Sequence, residues 1–135
     1  MKKLFLIFFL FSFTLRAIAP NNNAIVIIDS PPVEPFKKLI YAVGMVEGMG
    51  DTASYNPIEK ATGYFQIRPI RLLDYNRRTK SNYTMKDMYN YEISEKIFLY
   101  FASQIGPYNF EKIAKNWNGS GAKTTQYWKR VKQYL

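Results

Sequence analysis

The chain has 135 residues, room for one small domain with a single core. Its hydrophobic content of 47% argues against long disorder, and its formal net charge of +9 favours anionic partners without choosing among them. It contains neither histidine nor cysteine, which excludes Ser-His-Asp chemistry, thiol nucleophiles, disulfides and ordinary zinc sites, and leaves carboxylates to carry protons in any enzyme built from it.

The N-terminus reads as an export signal over residues 1–19. Lys2 and Lys3 precede the apolar run LFLIFFLFSFTL, and Ala17 to Ala19 (AIA) form a small-residue cleavage pattern. Pro20 is unfavourable just after a cut at Ala19, so a cut after Ala17 or an uncleaved membrane anchor are the alternatives. Loss of Lys2, Lys3 and Arg16 leaves 16 basic and 10 acidic residues, a net charge of +6. Residues 20–34, rich in Asn and Pro, read as a linker.

A helical pattern starts at Pro35. Phe36, Ile40, Val43 and Glu47 fall on one stripe, widened by Leu39 and Val46, and Gly48 and Gly50 stop it. Residues 48–62 are loop-like, and Gly63–Ile67 (GYFQI) is a short extended candidate. Pro69 opens a helix to about residue 78. Thr84 and Asp87 have the spacing of a capping box. Ile93, Ile97, Tyr100, Phe101 and Ile105 make an amphipathic helix closed by Gly106 and Pro107. Asn109 caps the next, with Phe110, Ile113, Ala114 and Trp117 on its face. Thr124 or Thr125 starts the last, with Trp128, Val131 and Leu135 inward. The fold class expected is mainly α, with a minor β-hairpin or irregular segment after the first helix.

Glu47 ends an apolar stripe in the last turn of a helix. Burial and the helix dipole both disfavour its charge, so it is either a poised acid or half of a buried ion pair with Arg68 or Arg71. A glutamate kept protonated near neutrality is what a general acid for glycosidic cleavage requires. The aromatic content, 17% with 11 Tyr, suits a sugar-lined cleft as well as half-buried packing.

The segments GMVEGMGD, NPIEKATGYFQIRP, YNFEKIAKNWNGSG and TTQYWKRV lie in that order between residues 44 and 131. Together they resemble the lytic transglycosylase (lysozyme-like) domain family that cuts peptidoglycan, over about residues 36–135. Glu47 stands where the family has its catalytic Glu. ATGYFQI resembles A-x-G-L-M-Q-I, NWNGSG resembles A-Y-N-A-G, and TTQYWKRV resembles T-x-x-Y-V-x-K-V. The resemblance implies a lysozyme-like fold, no cofactor and no metal. It implies one Glu that protonates the bond between N-acetylmuramic acid and N-acetylglucosamine, then deprotonates the muramoyl 6-hydroxyl to give a 1,6-anhydro product.

It further implies substrate-binding roles for Gln66, Tyr64, Phe65, Trp117, Asn118 and Tyr127. Of Tyr64 and Phe65, one is expected to line the groove and the other to pack inward. Gln66 has the alternative of bonding to backbone, and Asn118 and Tyr127 have helix-end and core alternatives. Two departures stand out: Gly48 replaces the family's usual Ser, and Trp117 replaces a Tyr whose hydroxyl reaches the carboxylate. The implied partners are peptidoglycan glycan strands, in the periplasm or cell envelope, and an envelope-spanning secretion or conjugation machine. Membrane contact is expected only through an uncleaved N-terminus. Competing readings are a hydrolysing muramidase using a second carboxylate (Asp51, Glu59 or Asp74) and a wall-binding module without catalysis. The scattered basic residues argue against nucleic acid.

Overall fold

The structure is a computed structural model, and it describes residues 34–135. The expected export signal and the linker up to residue 33 lie outside the described residues. Five α-helices are found among those residues: α1 (Lys37–Gly48), α2 (Pro69–Thr79), α3 (Tyr91–Ser103), α4 (Phe110–Asn118) and α5 (Lys123–Val131). Between α1 and α2, β1 (Tyr55–Asn56) pairs antiparallel with β2 (Ala61–Thr62), Tyr55 opposite Thr62 and Asn56 opposite Ala61. Short 3-10 turns cover Met85–Tyr89 and Lys132–Tyr134. The mainly helical architecture with a minor hairpin is the one the sequence predicts.

Side chains set the helix starts, and of these Asn109, Pro69 and the Thr84–Asp87 pair are expected from the sequence while Asn90 is found in the structure. Asn90 Oδ1 accepts the Ile93 N–H at 3.1 Å to open α3, and Asn109 Oδ1 accepts the Lys112 N–H at 2.9 Å to open α4. Pro69 occupies the first turn of α2 without losing a needed donor. The Asp87 carboxylate takes both the N–H and the hydroxyl of Thr84, at 2.7 and 2.8 Å.

Three expectations change in detail. The last turn of α1 is closed by Met49 in the left-handed region (φ 53°), so Gly48 is not there for its backbone freedom. Residues 63–66 form a tight turn between the bridged pair Thr62 and Ile67, rather than an extended run. On α5 the inward residues are Thr124, Tyr127 and Val131. Trp128 is only half-buried and Leu135 is 40% exposed, because the chain tightens into a 3-10 turn after Val131 and the helical spacing no longer applies.

The core is aromatic. The Phe65 ring stacks on Phe98 with centroids 4.9 Å apart, and Trp117 meets Phe98 edge-on at 5.0 Å. Leu39, Ala42 and Val43 supply the buried face of α1, which packs against α5 and the turn after it. Loss of one such buried ring costs about 3–5 kcal/mol. This packing fixes the C-terminal end of α1 beside the 63–68 turn and the end of α4.

Candidate active site

Glu47 lies where those three pieces meet. It opens onto a pocket of about 50 Å³. The walls are Glu59 from the hairpin, Gln66, Ile67 and Arg68 from the turn and its exit, Arg71 from α2, and Trp117 and Asn118 from the end of α4. Glu47 retains a partly exposed surface towards this opening, while protein atoms crowd its carboxyl. Burial raises its pKa from 4.5 to about 7. The Tyr127 hydroxyl, Arg68 and Arg130 pull the value down, and the Glu59 charge adds to the rise.

The ion-pair alternative for Glu47 does not materialise. Among the described residues it forms no salt bridge within 4 Å, and Arg68 instead approaches Glu59 at 3.9 Å. Arg68 Nη2 donates to the Asn118 carbonyl at 3.0 Å. Arg71 Nη2 donates to the carbonyls of Asn116 and Trp117 at 2.9 and 3.3 Å, and its guanidinium lies 4.7 Å from the Phe101 ring centre and 5.1 Å from that of Trp117. The two arginines therefore tie the end of α4 to α2 and stand as walls of the pocket. From the sequence they are expected only as ion-pair partners of Glu47. Their spacing of three, astride the Pro69 helix start, is the signal that puts both on one face.

Tyr127 is 2% exposed, and its hydroxyl lies against the Glu47 carboxyl. Each group shifts the other's proton affinity, but the hydroxyl has no partner at formed hydrogen-bond geometry among the described residues. Burial and then the Glu47 charge push the phenol's pKa upward, so it stays protonated and available as a donor.

Gln66 lines the pocket in the left-handed region (φ 48°), and its amide donates to the carbonyls of Ser54 and Gly63 at 3.2 and 3.0 Å. Those bonds hold the turn and occupy the amide nitrogen. Trp117 is 5% exposed, and its indole N–H donates to the Phe65 carbonyl at 3.1 Å rather than to Glu47. Asn118 reaches the pocket at the helix end.

Phe65 is the inward member of its pair, fully buried, and is not among the walls of the Glu47 pocket. Tyr64 is half-buried but lies outside the Glu47 pocket. It lines a separate groove of about 540 Å³ with Phe36, Ile40, Tyr41, Tyr91 and Leu99. The Gly48 departure has a steric reason: a β-carbon there would stand 2.8 Å from the Tyr64 carbonyl oxygen and 3.2 Å from that of Gly63, leaving no room for a serine.

The three further carboxylates separate clearly. Glu59 lines the Glu47 pocket. Asp51 accepts the Ala53 N–H at 2.8 Å within its own turn, and Asp74 is paired with Arg78 at 2.8 Å. Among the described residues no group of three or more acidic side chains is placed to hold a metal ion. No protein-family model matches the sequence, and neither curated proteins nor solved structures gave a match.

Proposed function

We propose that this protein cleaves peptidoglycan glycan strands as a lytic transglycosylase, with Glu47 as its single acid and base. The observation that carries the reading is a carboxyl at a pocket mouth with no ion pair among the described residues, raised to about 7 by burial, with a phenol hydroxyl beside it. Such a group is half protonated at neutral pH, the condition for giving a proton and then taking one back.

In the first step Glu47 donates its proton to the glycosidic oxygen, and the C1–O bond breaks. The substrate's own N-acetyl group supports the electron-poor C1. The glutamate, now charged, removes the proton from the muramoyl 6-hydroxyl, and O6 bonds to C1. The carboxyl ends protonated as it began, and no water is consumed. In this reading the Tyr127 hydroxyl, which lowers the proton affinity of Glu47, donates to the carboxylate between the two steps. Export to the cell envelope, where this substrate lies, belongs to the same proposal.

One observation favours a second reading, hydrolysis on the same scaffold. Glu59 shares the pocket with Glu47 and perturbs it, as a carboxylate that activates water would. Incubation of the full chain with peptidoglycan, with mass spectrometry of the soluble products, separates the two. Anhydro-ended products, one water lighter than hydrolysed ones, that vanish in Glu47→Gln and persist in Glu59→Gln support the transglycosylase. Reducing-end products lost in both variants support the muramidase. Release of nothing by the unaltered protein refutes both.

A further inference from the structure

The Glu47 pocket does not end at its arginines. Arg68 and Arg71 also form the near wall of a second groove of about 340 Å³ that runs along α2 to Arg77, with Ile70, Leu73 and Asp74 between them. Ile70 is 70% exposed and Leu73 53% exposed, so the groove presents bare aliphatic surface.

Its charge is unbalanced. Asp74 is engaged by Arg78, which does not line the groove. Arg77 and Arg71 have no carboxylate within 4 Å among the described residues, and Arg68 has only the distant Glu59. Arg71 is held rigidly by two carbonyls and two aromatic rings, so its position does not depend on a ligand arriving. Three guanidiniums beside exposed aliphatic side chains match a chain that carries carboxylates and small apolar side chains together.

Resting on the proposed glycan-cleaving function, we infer that the α2 groove receives the acidic peptide that branches from the muramoyl sugar, so that the protein distinguishes peptide-bearing strands from bare ones. The continuity at Arg68 and Arg71 lets one substrate occupy both: sugar at Glu47, branch along α2. Arg77, at the far end, is the specificity residue, since it is exposed and forms no ion pair among the described residues.

The test measures binding rather than cleavage. The full chain carrying Glu47→Gln is titrated with soluble glycan strands that keep their peptides and with the same strands after amidase removal of the peptides. The peptide-bearing strands bind more tightly, and the difference shrinks with added salt. Arg77→Ala weakens binding of peptide-bearing strands about two- to fivefold and leaves bare strands unchanged. Arg77→Glu weakens it further, and Lys129→Ala, an exposed charge on α5 away from the groove, does nothing selective. Equal affinity for both strand types, or no binding of either, overturns the inference. Failure of the unaltered protein to cleave overturns the function while leaving this comparison readable.

Discussion

The Tyr64 ring fills the space that a β-carbon at residue 44 would need, so the glycine and the tyrosine form one packing unit. Gly44 is fully covered, one turn before Glu47 on α1. Gly44→Ala should therefore destabilise the fold by about 1–3 kcal/mol despite alanine's higher helix propensity. In a Tyr64→Leu background the same change should cost markedly less, and thermal melts of the four proteins measure the coupling. Equal cost in both backgrounds would mean the ring simply swings aside.

Glu47 gives stability a pH slope. Its folded-state pKa, about 7, lies above the ordinary 4.5, so between those values the folded protein holds a proton that the unfolded chain has released. The contribution is complete below pH 4.5 and is lost as pH rises through 7, about 3 kcal/mol in all. Urea titrations across this range should show the decline in the unaltered protein and a flatter profile in Glu47→Gln. At pH 8 the variant should be the more stable of the two.

The same proton governs the rate. If Glu47 must be protonated to begin the reaction, kcat/KM should fall about tenfold per pH unit above 7. A profile that instead rises through pH 7 would assign Glu47 the role of a base only.

Tyr127→Phe should separate chemistry from packing. The hydroxyl lacks a formed partner among the described residues, so its removal should leave stability unchanged or up to about 1 kcal/mol higher. The hydroxyl holds the Glu47 pKa down, so its loss should move the descending limb of the pH profile upward. The rate at the optimum should fall about tenfold, the worth of a hydrogen bond to a charged group.

Much of this site could be read from local sequence, because local rules place it. A stripe ending in a carboxylate put Glu47 at a helix end, and Asn109, Pro69 and the Thr84–Asp87 pair marked element starts through side-chain chemistry confined to one turn. Gln66, Trp117 and Asn118 do meet Glu47 in one pocket. What the sequence left open depends on contacts far apart in the chain. Alternation could not decide which of Tyr64 and Phe65 faces inward, since that rests on stacking with Phe98, 33 positions beyond Phe65. Helical spacing carried Leu135 inward only because it continued past the point where the helix tightens. Arg68 and Arg71 were invisible as pocket walls, because their bonds reach carbonyls 45 to 50 residues away.

The two tryptophans sit in unlike surroundings: Trp117 is sealed beneath Arg71 with its indole N–H bonded, while Trp128 is half open to water beside Lys132. The protein thus carries two indole fluorophores that differ in colour and in access. Acrylamide should extinguish Trp128 first and leave a blue-shifted remainder from Trp117, the emitter that borders the Glu47 pocket. Occupancy of that pocket becomes visible by light alone, without a label and without waiting for a bond to break.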